Sequence, residues 1–223
     1  MIKWMVAFKF RSDRSPDACR QYWIERHGPI ALKLAGLKHY VQSQRVQGAE
    51  DIGNAPYDGF GSLWFETEAA AKHALDSPEM TSLKADADNF AEASGTKQFL
   101  AREIVMRDVR EQPGALKLVT FNYRKSHLSP QMFQDYWEHK HGPLVLRNLA
   151  ALRRYVQNHA LLSSCEGGAE PDFDGVFEGW LASFEALRAG EGTPAHEAVR
   201  ADEANFLDPA RFSFMFVREQ VFR

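Results

Sequence analysis

His27 and His141 are the residues of this sequence best suited to moving a proton. Each completes the same short pattern: Tyr22-Trp23 leads to His27-Gly28-Pro29, and Tyr136-Trp137 leads to His141-Gly142-Pro143. An imidazole with an ordinary pKa of roughly 6.5 exchanges a proton near neutral pH, which suits a general acid or base in proton abstraction, ring closure or lyase chemistry. Both histidines also fall where a helix is expected to end, and there a histidine can hydrogen-bond the free carbonyls while the helix dipole favours its charged form. Because the residue occurs twice while a reaction needs one site, the catalytic and structural roles stand level.

Around the histidines are residues able to hold a ligand. Tyr40 and Gln42 lie two apart in an expected strand and so face one way, as do Tyr155 and Gln157. Either pair can orient a carbonyl or phenol, or the two side chains can satisfy each other where sheets meet. Trp64 and Trp180 fit a pocket wall or a core. Asp58 and Asp174 precede glycines, an ordinary turn signal. Asp86 and Asp202, followed by Asn89-Phe90 and Asn205-Phe206, suit a capping network or a carboxylate partner for an arginine.

Stepping outward, these residues sit in two copies of one unit. Ser15-Pro16 recurs as Ser129-Pro130, Tyr40-Val41-Gln42 as Tyr155-Val156-Gln157, Asp58-Gly59 with Trp64 as Asp174-Gly175 with Trp180, and Arg102-Glu103 as Arg218-Glu219. So many ordered matches identify an internal duplication. Aligning the copies places His39 with Arg154, Lys9 with Asn122, Gln44 with His159 and Trp4 with Lys117. On that alignment His39 makes the first copy the richer in proton-transfer groups and a third catalytic candidate.

The elements repeat as well. A first strand over about Ile2 to Phe10 alternates Trp4, Val6, Phe8 and Phe10 against Met5, Ala7 and Lys9, and Leu116 to Tyr123 is its counterpart. Ser15 and Ser129 can cap a helix whose first position is proline. Cys19, Tyr22 and Trp23, like Phe133, Tyr136 and Trp137, then form one stripe at helical spacing. Gly28 permits a left-handed helix end, and Pro29 can start a second short helix. Strands at Leu37 to Val46, Asp58 to Glu66 and Gln98 to Met106 complete the copy, with a helical stretch from Thr67 restarted at Ser77-Pro78.

The order is βαββαβ, a ferredoxin-like sheet with helices on one face, so the fold class is α+β. The expected units are 1–107 and 115–223, joined by a linker at 108–114 containing Pro113-Gly114. One such sheet leaves a face bare. Two copies can cover each other's bare face, at roughly 25 cal/mol for each Å² of apolar surface removed from water.

Composition narrows the partners. With 27 Lys+Arg against 30 Asp+Glu and a net charge of -3, the chain has no basic cluster to meet nucleic acid or an anionic membrane. The first eleven residues are interrupted by Lys3 and Lys9, unlike a secretion signal, so a cytoplasmic protein is expected. Two cysteines at non-equivalent places support neither a disulfide framework nor zinc. Glu138, His139 and His141 lack the i, i+4 spacing of a zinc hydrolase helix, and no GxGxxG, Walker loop or Gly-x-Ser-x-Gly elbow is present, so neither metal nor cofactor is expected.

The stretch Tyr22-Trp23-Ile24-Glu25-Arg26-His27-Gly28-Pro29, leading to Leu37-Lys38-His39-Tyr40-Val41-Gln42, resembles the EthD domain family, and so does its second copy through Tyr155-Val156-Gln157. The resemblance implies a dimeric α+β barrel, here built within one chain. It further implies a superfamily containing cofactor-independent monooxygenases, polyketide cyclases, muconolactone-type isomerases and, more distantly, haem proteins. Fold analogy alone does not assign a reaction. The expected function is a cofactor-independent enzyme acting by proton transfer on a small hydrophobic, aromatic or polyketide-like molecule, as a lyase, isomerase, cyclase or oxygenase. A non-catalytic carrier of a hydrophobic ligand and a haem protein are the alternatives, and a homodimer of the whole chain is left open.

Overall fold

The computed structural model describes residues 1–46, 53–109 and 115–222. The first half runs β1 (Ile2–Phe8), α1 (Pro16–Tyr22), a π-helical turn (Trp23–His27), α2 (Gly28–Ala31), β2 (His39–Arg45), β3 (Gly59–Phe65), α3 (Glu68–Leu75), α4 (Pro78–Ala87) and β4 (Lys97–Asp108). The second runs β5 (Leu116–Asn122), α5 (Pro130–Tyr136), a π-helical turn (Trp137–His141), α6 (Gly142–Asn148), β6 (Leu152–Ala160), β7 (Gly175–Leu181), α7 (Phe184–Gly190), α8 (Pro194–Glu203) and β8 (Ser213–Val221). A 3-10 segment at Leu162–Gly168 follows β6 in the second half. The expected linker begins inside β4, at Asp108, and its Pro113-Gly114 lies outside the described residues. None of the described helices is long and apolar enough to cross a membrane.

The cap signals operate as their chemistry requires. Ser15 Oγ accepts from the Ala18 amide at 3.2 Å and Ser129 Oγ from the Met132 amide at 3.1 Å, each with proline at the first helical turn. Gly28 departs from expectation. Its φ of -53° and ψ of -52° are right-handed, so the chain does not leave the helix there but widens by one π turn and continues into α2.

The eight strands close one barrel in the order β1-β3-β2-β8-β5-β7-β6-β4. Each half contributes the ferredoxin-like order, and the halves join edge to edge through antiparallel β2–β8 and β4–β6 ladders. The inner sheet faces therefore meet as the lining of a barrel with no free edge, which is a closer union than two stacked sheets. Met5, Phe60, Phe99, Val119, Phe121 and Met215 fill that interior. Outward-facing Trp4, Tyr40, Leu63 and Phe65 in the first half, and Leu116, Tyr155, Leu181 and Phe216 in the second, pack beneath the helices.

The ladders also correct the alignment of the first strands. Ile2 lies opposite Phe65 and Leu116 opposite Leu181, so Lys117 is the counterpart of Lys3, not Trp4, and Asn122 is the counterpart of Phe8, not Lys9. Both lysines are buried inside the barrel. Lys3 Nζ meets Glu178 at 2.7 Å and Glu103 at 2.9 Å; Lys117 Nζ meets Glu178 at 2.8 Å and Glu219 at 2.7 Å. Burial alone would raise the Glu178 carboxyl, but Lys117 and Lys3 override it and hold it well below the usual carboxylate range. Trp64 and Trp180 belong to this cluster, donating their indole N–H to Glu103 at 3.2 Å and Glu219 at 3.1 Å.

Candidate active site

Each π turn carries one His-Gly-Pro histidine, and the turn is built by a shared acceptor. The Trp23 carbonyl receives the Gly28 amide, an i to i+5 bond, and also Gln42 Nε2 at 2.8 Å. In the second half the Trp137 carbonyl receives the Gly142 amide and Gln157 Nε2 at 3.1 Å. The same amide nitrogens reach Tyr40 Oη at 2.9 Å and Tyr155 Oη at 2.6 Å. Each glutamine amide nitrogen thus ties its tyrosine to the π turn, with Gln42 Oε1 buried and unpaired; both glutamines and Tyr155 are buried and line neither cavity described below.

The histidines face a carboxylate on one side. His27 Nδ1 lies 2.8 Å from Asp86 Oδ2, and Tyr22 Oη donates to Asp86 Oδ1 at 2.8 Å. His141 Nδ1 lies 2.8 Å from Asp202 Oδ2, with Tyr136 Oη donating to Oδ1 at 2.7 Å and Asn205 Nδ2 at 3.0 Å. Burial would raise the Asp202 carboxyl, yet the donors Tyr136, His141 and Asn205 lower it, so it stays an acceptor. An ionised acceptor on Nδ1 fixes the tautomer that leaves a lone pair on Nε2. Burial, which outweighs the aspartate, depresses both histidines below their ordinary pKa, so at neutral pH each ring is an uncharged base.

Each histidine lines a cavity between the helices and the outer face of the barrel. His27 lines one of 290 Å³ with Trp4, Phe8, Trp23, Tyr40 and Phe90; His141 lines one of 560 Å³ with Leu118, Phe177, Val199, Phe206 and Phe216. Small-molecule sites run roughly 300–1,000 Å³ and are mostly apolar with a few convergent polar groups, so only the second is comfortably within that range.

The difference in size has identifiable causes. Phe8 packs edge-on against Trp23 at 4.8 Å between centroids, whereas its counterpart Asn122 withdraws a ring from the second cavity and His159 supplies the contact with Trp137 at 4.7 Å. Burial pushes His159 down to about 3, so it serves as a neutral wedge. Val6 gives way to Thr120, Met80 to His196 and Ala87 to Glu203, and all three polar replacements line the second cavity. Thr120 Oγ1 donates to Asn122 Oδ1 at 2.9 Å, leaving the amide N–H groups of Asn122 for a ligand.

The structure thus brings together His27 with Tyr40, and His141 with Asp202, which the sequence suited to a capping network or an arginine partner, with Tyr136, expected only as part of a helical stripe, and with Asn122 and Glu203, to which it gave no site role. His39 is exposed, packs edge-on against Trp64 and lines neither cavity, because its place in β2 alternates with Tyr40 and points it away from the helices. His39 therefore adds no group to the first cavity, while the second is lined by Thr120, His196 and Glu203 at the positions of Val6, Met80 and Ala87. Trp64 and Trp180 sit with the buried ion cluster on the inner face rather than against either cavity. Among the described residues no group of three or more His, Cys, Asp or Glu side chains is arranged to hold a metal ion, and both cysteines are free.

Comparison with known proteins agrees with this duplicated architecture. A protein described as an uncharacterized 11.0 kDa protein in the thcB-thcC intergenic region of Rhodococcus erythropolis is 24% identical over 103 residues, 45% of this chain and 96% of its own length. Among solved structures, an anthrone oxidase-like protein superposes with a TM-score of 0.66 at 11% identity, covering 99% of this chain and 92% of its own. A mutant chlorite dismutase from Candidatus Nitrospira defluvii superposes with a TM-score of 0.56 at 11% identity, covering 97% and 90%. At these identities the structural likenesses speak for the fold alone. The EthD domain matches twice, over residues 11–94 and 125–210, each span holding one His-Gly-Pro histidine and its aspartate, and the chain belongs to the EthD domain family.

Proposed function

We propose that this protein is an enzyme in which His141 takes a proton from an activated carbon of a small hydrophobic, aromatic or polyketide-like molecule held in the 560 Å³ cavity. The observation that carries the reading is the Asp202–His141 pair, which holds an imidazole by its Nδ1 at the wall of a largely apolar cavity. The C–H proton passes to Nε2 and its electron pair moves into a neighbouring carbonyl as an enolate. The amide of Asn122 is the donor suited to receive that charge. Tyr136 and Asn205 keep Asp202 ionised and in place, so the imidazolium that forms is stabilised without a change of tautomer. The proton step calls on no cofactor, and collapse of the enolate sets the outcome, whether isomerisation, ring closure, elimination or reaction with oxygen.

Hydrogen–deuterium exchange tests the step without knowledge of that outcome. Anthrone, chosen for its acidic methylene and for the fold shared with the anthrone oxidase-like protein, is incubated under argon in deuterated buffer together with 1,3-diketone and phenolic polyketide probes. The protein should accelerate exchange of at least one probe, His141→Ala should return it to the buffer rate, and His27→Ala should retain it. Equal acceleration by both variants refutes the base assignment. Binding without exchange across the whole panel supports the carrier reading instead.

The same pairing favours one other reading, a haem protein, because metal-ligating histidines ordinarily donate their second N–H to a carboxylate. His141 or His27 would then hold the haem iron through Nε2. A preparation that gains no Soret band on addition of haem removes it.

A further inference from the structure

The glycine of each His-Gly-Pro turn is right-handed, so backbone freedom does not explain it; what touches it does. A Cβ on Gly142 would lie 2.6 Å from Met106 Cε and 2.8 Å from Gln157 Nε2, and one on Gly28 would lie 2.3 Å from the ring of Phe222. Met106 lies near the end of the last strand of the first half, and Phe222 follows the last strand of the second. Each half's final strand therefore reaches across the barrel seam and presses on the other half's histidine-bearing turn.

Three further observations make this a built arrangement. Met106 is the extra residue of a bulge in β4, between the pairs Val105–Val156 and Arg107–Tyr155, and bulges re-aim a side chain. Arg107, the next residue, donates to the carbonyls of Leu146 at 2.6 Å, Leu152 at 2.8 Å and Leu149 at 3.4 Å, so that β4 grips α6 at its C-terminal end as well as at Gly142. On the other side of the molecule, the Phe222 amide donates to the Tyr40 carbonyl at 3.0 Å and its ring stacks on Tyr40 at 5.1 Å.

We infer that Met106 and Arg107 of the first half are positioning residues for the His141 cavity of the second, and that Phe222 plays the same part for His27. The halves are thus interdependent at their sites, beyond sharing a barrel. The consequence for turnover rests on the reading of His141 as a base, whereas the positioning itself is read from the imidazole and stands or falls without any substrate.

The experiment labels the histidines of the full chain with ¹⁵N and follows the ring nitrogens and the Nδ1–H proton by NMR, with signals assigned through His27→Ala and His141→Ala. Met106→Ala should displace the His141 signals and leave those of His27 in place, Phe222→Ala should do the converse, and Met106→Leu should restore the native position. Arg107→Gln, which removes only the grip on α6, provides the second route should Met106→Ala not fold, and should displace His141 in the same way. Met106→Ala or Arg107→Gln leaving His141 unmoved, or moving both histidines alike, overturns the inference. Loss of exchange activity in His141→Ala bears on the base reading alone.

Discussion

The ion cluster inside the barrel allows a stability change to be worked from geometry. Glu178 is 1% exposed and bridges Lys3 at 2.7 Å and Lys117 at 2.8 Å, while Asn158 Nδ2 donates to it at 3.0 Å. Removing one partner from a buried ion pair costs about 3–5 kcal/mol. In Glu178→Gln each lysine keeps one carboxylate, Glu103 or Glu219, so the lower end of that range applies, about 3 kcal/mol. For a chain of this length each kcal/mol corresponds to about 2–4 °C, which puts the expected fall in Tm at about 6–12 °C. The dependence on pH has a definite sign. The folded carboxyl is held far below its ordinary value of 4.5, so its contribution is complete above that pH and is lost as the pH falls beneath it. Urea unfolding of wild type and Glu178→Gln at pH 7 and at a series of lower values should therefore show a gap that narrows below pH 4.5. A gap under about 1 kcal/mol at pH 7, where the scale for one broken buried pair is several times larger, or a gap that is constant with pH, would refute the account of the cluster.

Other consequences can be checked separately. Because burial depresses His141 below 6.5, the exchange rate should be flat above pH 6.5 and decline only on its acid side; a midpoint above 6.5 in the pH profile contradicts the uncharged-base assignment. The same depression means that the unfolded chain takes up protons before the folded one, so stability should fall as pH drops below 6.5, and His141→Ala should lessen that slope. Asn122→Phe installs the first half's residue in the larger cavity, and tryptophan quenching by a bound aromatic probe should show affinity weakened by roughly tenfold, about 1.4 kcal/mol. Gln157→Ala strips a donor from the Trp137 carbonyl and a partner from Tyr155 Oη, and denaturant unfolding should register a loss of about 2 kcal/mol.

How much of this was legible in the sequence depends on whether the signal was local. Ser15-Pro16 and Ser129-Pro130 announce helix starts because capping is satisfied within four residues. The βαββαβ order was readable from strand alternation and from the duplication. The partner of each histidine was not, since His141 and Asp202 stand 61 residues apart and only their joint repetition, as His27 with Asp86, linked them. The glycine of His-Gly-Pro was misread for a related reason: local rules offer a left-handed turn, while the crowding that a Cβ would meet comes from residues distant in sequence, Phe222 at Gly28 and Met106 with Gln157 at Gly142. The Trp4–Lys117 alignment failed by one position because apolar residues flank both strands, and only the ladders fix which residues face inward.

Joining the halves in one chain explains why the two cavities can differ. In a barrel made of two identical subunits every replacement appears twice, so a residue that opens one cavity opens both. The centre of the barrel shows the same freedom at a place where symmetry would be costly. Glu178 corresponds to Ser62, and one carboxylate between Lys3 and Lys117 gives each lysine a shared partner in addition to its own glutamate. Glutamate in both halves would set four carboxylates against two lysines, whereas serine in both would leave each lysine with its own glutamate alone and no bridge between them. A single Glu178 is available only to an assembly whose halves are distinct, and the same distinction lets Phe8 close one cavity while Asn122 opens the other beside His141.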